Sequence, residues 1–250
     1  GDRLHTDIKN SYDDLARIIN ETSQRGGKVI IPSFAVERAQ ELLYIIHELK
    51  DRKAIPDIPV YLDSPLAVRI VNIFSEFIDL YDDETKEHFL KKGENPFIFS
   101  KLHLVESPNA SKALNSANES CVIIASSGMC EFGRIRHHLK NNIENANNTV
   151  AIVGFQAKDT LGRKLLEGVK QVHILDKDVR VRSRIVVLNS LSAHADQNDL
   201  LEYIKNVGKC KIIYLIHGEE KSKEGLKQKL EQTVSSEIII PKTNDVFEIE

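Results

Sequence analysis

The sequence predicts an α/β fold built on a largely parallel sheet with flanking helices. Two observations carry this. Short apolar runs recur at 28–31, 60–62, 121–125 and 149–153, and three of them lead through a short turn into a stretch with apolar residues at helical spacing. Strands joined through helices at this pace need crossover connections, which favour parallel pairing. With 250 residues, of which 41% are hydrophobic and 28% charged, the chain can bury a sizeable core in one large domain or two modest ones.

The elements follow in order. Residues 6–25 read as a polar-faced helix whose apolar stripe is Leu15, Ile18 and Ile19, stopped by Gly26-Gly27. After strand 28–31, Pro32-Ser33 opens a helix through Leu42, Leu43, Ile46 and Leu49, with Ser33 as its expected N-cap. After strand 60–62, Asp63-Ser64-Pro65 turns into an amphipathic helix over 66–80, and a polar helix over 83–92 ends at Gly93. Strand 121–125 leads through Ser126-Ser127-Gly128-Met129 to a helix at 132–142. Strand 149–153 and a short helix at 160–167 close this region at Gly168. Short strands are expected at 172–175, 179–182 and 185–188, then helix 196–205, strand 211–216, helix 221–231 and strand 237–240.

Composition excludes several classes. A formal net charge of −3 and a pI near 6.3 rule out a protein basic throughout, though a local basic face for an anion stays open. No apolar run approaches the roughly 20 residues of a membrane helix, so no membrane partner is expected. Cys121, Cys130 and Cys210 are an odd set without a C-x-x-C pair, against both a disulfide framework and a cysteine zinc site. A reducing compartment is the expectation: cytoplasmic, or nuclear in a eukaryote. The N-terminus has neither Met nor a signal-peptide pattern, as expected of a processed chain or one that starts inside a larger protein.

Nine histidines are present. His47 and His88 on helices and His103 and His173 on strands read as structural. His137 and His138 point about 100° apart on a helix and cannot both bind one metal. The sequence contains no H-x-H, H-E-x-x-H or D-x-D-x-D pattern, and so lacks the convergent ligands of a catalytic zinc. His194 and His217 differ in position. One lies between a strand and a helix, the other at the carboxyl end of an apolar strand, where open α/β sheets gather ligands. Two readings stand: a pair sharing one crevice, or two capping or turn histidines.

Ser126, Ser127 and Gly128 form a small-residue turn whose amides suit a phosphate, and Arg134 follows on the same element. Arg180, Arg182 and Arg184 alternate, which predicts three guanidinium groups on one strand face. Such clusters are either a solvated face or a track for a nucleic-acid backbone.

A set of blocks carries a family resemblance. They are Gly1-Asp2-Arg3-Leu4-His5, Pro32-Ser33-Phe34-Ala35-Val36-Glu37-Arg38-Ala39-Gln40-Glu41, Tyr61-Leu62-Asp63-Ser64-Pro65-Leu66-Ala67 and Ala125-Ser126-Ser127-Gly128-Met129. Gly154-Phe155-Gln156-Ala157, Thr160-Leu161-Gly162-Arg163, Ser192-Ala193-His194-Ala195-Asp196 and His217-Gly218-Glu219 complete the set, in family order. The chain resembles the β-CASP branch of the metallo-β-lactamase superfamily, near its RNA-processing nucleases. The resemblance implies a β-CASP cassette at 2–190 and the C-terminal α/β part of a metallo-β-lactamase domain at 191–250, with the N-terminal part of that domain absent. His194 matches the general-acid histidine. His217 matches a zinc ligand, and a histidine there goes with RNA rather than DNA. Ser126, Ser127, Gly128, Arg134 and Ser192 are then the expected contacts to RNA phosphate.

The resemblance further implies that the H-x-H-x-D-H ligand block lies upstream and that Gly1 closes the stretch carrying the acidic partner of the general acid. The expected function is that part of a zinc-dependent ribonuclease, with two zinc ions in the full-length protein, that hydrolyses single-stranded RNA, endonucleolytically. This chain alone is expected to be inactive. A non-catalytic RNA-binding or scaffold member and a DNA nuclease are the alternatives, and a homodimer or processing-complex partners are compatible with either.

Overall fold

A computed structural model describes residues 1–4, 9–188, 191 and 194–248. The chain divides into two compact units, one of Asp7–Leu191 and one of Gly1–Thr6 with Ser192–Glu250.

The larger unit is a mixed α/β structure. Its elements are α1 (Lys9–Gln24), β1 (Val29–Pro32), α2 (Arg38–Asp51), β2 (Val60–Leu62), α3 (Pro65–Glu76), α4 (Asp83–His88), β3 (Leu102–Leu104) and α5 (Pro108–Ser116). There follow β4 (Val122–Ala125), α6 (Arg134–Asn142), β5 (Thr149–Ile152), α7 (Leu161–Leu166), β6 (Gln171–Ile174), β7 (Lys177–Arg180) and β8 (Arg184–Val187). Six strands form one sheet in the order β3-β2-β4-β1-β5-β8, and every pairing in it is parallel. The central strands β1, β4 and β5 are buried along their whole length. That is why they read as unbroken apolar runs rather than as alternations.

Successive residues of these strands enter opposite layers. Val29, Ile31, Val122 and Ile124 pack with Leu15, Ile19, Leu42 and Ile46 of α1 and α2. Ile30, Ile123, Val150 and Ile152 pack with Leu114, Ile135, Leu139 and Leu165 of α5, α6 and α7, and with Val172 and Val179 of the β6–β7 hairpin.

Several expectations need correction. Ser33 does not cap α2: the helix starts at Arg38, after Glu37 with a positive φ of 64°. Helix 66–80 ends at Glu76, followed by a single 3₁₀ turn at Ile78–Leu80. The polar helix 83–92 is α4 plus a 3₁₀ turn at Leu90–Lys92, closed by left-handed Gly93 as the sequence suggested. The expected three-arginine face does not form. Arg180 ends β7 in the two-stranded hairpin, whereas Arg184 begins β8 at the edge of the main sheet and pairs with Glu21. Strand β3 and helix α5 add to the elements expected from sequence. β3 has only 3 residues, none of them buried, so it shows no apolar run.

The smaller unit contains α8 (Gln197–Val207), β9 (Ile212–Tyr214), α9 (Glu220–Glu231) and β10 (Glu237–Ile239). β9 and β10 pair in parallel, and Leu215, Leu226, Leu230 and Ile238 form its core. Residues 1–4 lie in this unit and not in the larger one. The Gln197 amide donates to the Arg3 carbonyl at 3.0 Å, and the Gln197 side chain to the Gly1 carbonyl at 2.7 Å. Ser222 Oγ donates to Asp2 Oδ1 at 2.7 Å. Gly225 permits this seat, because a Cβ there would stand 2.9 Å from Asp2 Cβ.

Candidate functional site

In the larger unit the sequence-selected residues gather at the carboxyl edge of the sheet, where β2, β4, β1 and β5 end side by side. The Ser126–Met129 turn leaves β4 there, and its shape is fixed from within. Ser127 N donates to Phe132 O at 2.9 Å, Phe132 N to Ser127 Oγ at 3.1 Å, and Cys130 N to Ser127 O at 3.2 Å. Ser126 O accepts from Ile135 N at 3.2 Å, and Ser126 Oγ donates to Ser64 Oγ at 3.1 Å. Gly133 is obligatory. Its φ is 77°, and a Cβ would stand 2.4 Å from Ser126 O. The helix itself begins only at Arg134, so the turn does not open directly into a helix N-terminus as the sequence suggested.

Two neighbouring motifs brace this turn. Gln156, buried, directs Nε2 to the carbonyls of Gly128 at 3.0 Å and Phe155 at 3.1 Å. Gly162, whose amide donates to Met129 O at 3.2 Å, leaves the space that the Gln156 amide fills.

The second brace is a charged cluster centred on Asp63. This fully buried carboxylate accepts from Arg134 Nη1 at 2.5 Å, Ser111 Oγ at 2.5 Å and His138 Nε2 at 2.6 Å. Burial pushes the Asp63 carboxyl up, but the three donors, His138 foremost, outweigh it and hold the group below the usual carboxylate range. Arg134 also donates to the carbonyls of Val105 at 2.8 Å and Glu106 at 2.5 Å. Its guanidinium is therefore engaged inside the fold, as a strut of the turn. Asp63 and His138 carry no motif that pairs them in the sequence. The signal that could have found them is a carboxylate at a strand end and a histidine on the inner face of the helix after a neighbouring strand.

Three phenylalanines follow three adjacent strands at this edge: Phe34 after β1, Phe132 after β4 and Phe155 after β5. Their exposures of 47%, 75% and 53% are unusual for such large apolar side chains. The Phe34 ring lies against Gly128, where a Cβ would come within 3.0 Å of it.

In the smaller unit, His194 precedes α8 and is exposed. Its Nδ1 donates to the Ala195 carbonyl at 2.8 Å, since a carbonyl can only accept, and the ring is thereby oriented with Nε2 as its other polar atom. His194 does not cap α8. That role belongs to Asp196, whose side chain accepts from Asp199 N at 3.0 Å in a reciprocal capping box. His217 follows β9, is exposed and has φ of 60°, a sparsely populated region for any residue but glycine. It does not cap α9 either, where Glu219 holds the N-cap position. Ser192 lies outside the described residues.

No third His, Cys, Asp or Glu donor converges with His194 or His217 among the described residues. These residues do not by themselves make a zinc site.

Comparison with known proteins places this geometry. Residues 39–165 match the Beta-Casp domain family, and residues 178–241 match a family described as the Zn-dependent metallo-hydrolase RNA specificity domain. Ribonuclease TTHA0252 of Thermus thermophilus is 39% identical over 220 residues, covering 88% of this chain and 50% of that protein. Transcription termination factor FttA of Methanocaldococcus jannaschii is 34% identical over 215 residues, covering 83% of this chain and 33% of that protein. An RNase J-like protein of the same organism is 34% identical over 205 residues, 82% of this chain and 46% of its own length. The chain thus spans about half the length, or less, of these curated relatives.

Proposed function

Because this chain belongs to the β-CASP branch of the metallo-β-lactamase superfamily, we propose that it is the RNA-gripping and proton-delivering part of a zinc-dependent ribonuclease. The observation that carries this reading is the carboxyl edge of the sheet. There a turn braced by Gln156 and Asp63 sits among three exposed phenylalanines. With the Ser127 and Cys130 amides used inside the turn and Gly128 buried, the half-buried Met129 amide is the one offered to a phosphate. Exposed phenylalanines are suited to stacking on unpaired bases, which favours single-stranded RNA.

His194 holds a proton for the departing ribose oxygen, and its anchored Nδ1 supports Nε2 as the atom that delivers it. His217 contributes one metal ligand. The remaining ligands of two zinc ions would come from residues outside these 250. Endonucleolytic cleavage and a homodimer or processing-complex partner belong to the same reading. Free thiols at Cys121, Cys130 and Cys210 support a reducing, cytoplasmic setting.

The test is cleavage of a circular single-stranded RNA, which only an endonuclease opens, beside a matched DNA circle. The natural full-length protein is expected to open the RNA. His194→Ala should lose about 10²–10⁴-fold in kcat with RNA affinity retained. Equal cleavage of DNA would overturn the RNA assignment. RNA binding without any cleavage would favour the scaffold reading.

A further inference from the structure

The histidine that the sequence marks as structural, His47, stands at a different site. It lies on α2 one turn before Asp51, so the two side chains share a face. The chain returns to this face through Gly93, whose left-handed conformation with φ of 73° turns it sharply. Glu94 N then donates to Phe89 O at 3.1 Å, which fixes Glu94 beside the end of α2. One donor atom each from His47, Asp51 and Glu94 lies within 4.8 Å of the others, and among the described residues this is the one such group of three.

The ring of His47 is held as a ligand would be. It is 5% exposed and packs against Phe89 and Phe99, with ring centroids 4.8 and 5.3 Å away. Nδ1 donates to the Pro96 carbonyl at 3.1 Å, so Nε2 is the atom left to face the carboxylates. A carbonyl on the far nitrogen is the usual device that orients a metal-bound imidazole. Pro96 is itself held by its neighbours: Asn95 Nδ2 donates to Ser75 Oγ at 2.8 Å, and Phe97 N to Asn95 Oδ1 at 2.9 Å. Nε2 stands 3.8 Å from Asp51 Oδ1. That is too far for a hydrogen bond but suits two ligands across one ion with bonds of about 2.0–2.2 Å. The other carboxylate oxygen of Asp51 lies 3.8 Å from Lys92 Nζ, which leaves Oδ1 for the ion. His47, Asp51 and Glu94 line an open cleft of about 670 Å³, through which a hydrated cation can enter.

We propose that His47, Asp51 and Glu94 bind a divalent transition-metal cation, with water completing its shell. One imidazole and two carboxylates form a borderline donor set. It suits Zn²⁺ or Mn²⁺ better than the all-oxygen ions Ca²⁺ and Mg²⁺ or the soft Cu⁺. The site lies wholly within the larger unit and owes nothing to His194 or His217.

The test uses the natural protein, stripped with chelator, dialysed against ZnCl₂ and then assayed for zinc per chain. Co²⁺ substitution adds the d–d absorption of the bound ion as a second readout. Glu94→Gln and Asp51→Asn alter exposed side chains and should each lose one equivalent while the melting temperature without metal holds. His47→Gln should lose the same equivalent, whereas His217→Ala should retain it. Zinc content and Co²⁺ spectrum identical to wild type in Glu94→Gln and His47→Gln would overturn the site. So would a Tm of the stripped wild type that added ZnCl₂ fails to raise.

Discussion

His138 Nε2 lies 2.6 Å from Asp63 Oδ2, and both side chains are wholly withdrawn from solvent. The contact joins the end of β2 to the helix that follows β4, two strands that are neighbours in the sheet. With Arg134 and Ser111 on the same carboxylate, it clamps the carboxyl edge from below. A buried ion cluster is seldom a net source of stability, but removing one member leaves the others uncompensated. Its contribution here is therefore to shape: it fixes where the Ser126–Met129 turn starts.

Asp63→Asn keeps the volume and removes the charge. Arg134 then retains only carbonyl partners, and the expected loss is about 3–5 kcal/mol of folding stability. Urea unfolding followed by circular dichroism measures it. A shift below 1 kcal/mol would show that the cluster is not the clamp described.

The same carboxyl sets an acid limit. Its value in the folded chain lies below that of an ordinary aspartate, about 3.9 in the unfolded chain. The stability it contributes is fully present above the unfolded value and drains away as pH falls through the folded one. Urea midpoints of wild type and Asp63→Asn should therefore differ most at neutral pH and converge below about pH 4. A gap that stays constant down to the acid transition would contradict this.

Gly162→Ala places a methyl carbon 1.7 Å from Gln156 Oε1. Gln156 cannot move aside without giving up its bonds to Gly128 and Phe155, so the substitution should cost about 1–3 kcal/mol. Faster hydrogen exchange at the amides of residues 127–130 would report the loosened turn. Exchange unchanged from wild type would detach Gln156 from that role.

The three thiols should react unequally. Burial pushes Cys121 up to about 11 and Cys130 up to about 12, so neither offers thiolate at pH 8. Cys210 is only half-buried. Titration of the native protein with Ellman's reagent should therefore release one equivalent quickly, and denaturant should release the other two. Three fast equivalents would mean the core around β4 opens readily.

Much of the molecule is legible in the sequence, for definable reasons. Val29–Pro32, Val122–Ala125 and Thr149–Ile152 are buried on both faces, so their apolar runs are unbroken and bounded by turn residues. Gly93 and Pro65 mark helix limits because their backbone preferences act locally. Strand β3 escapes notice because Leu102–Leu104 sits at the sheet edge and lacks a buried face. Ser33 misleads as a cap because Glu37 takes up a positive φ and delays the helix by a full turn.

The histidines divide the same way. His194 and His217 are singled out by motif, and their place at element ends follows from local sequence. His47 and His138 are not, because what makes each one matter is a residue 47 and 75 positions away, Glu94 and Asp63. The sequence alone determined the α/β class, the central strands and the family, since hydrophobic period, turn chemistry and motif order are properties of neighbouring residues. Only the tertiary structure decided that Arg134 faces inward to Asp63, that the phenylalanines line one edge and that residues 1–4 join the C-terminal unit. The first two depend on strand order and the third on contacts to α8 and α9, and all are set by packing between segments that the linear chain keeps far apart.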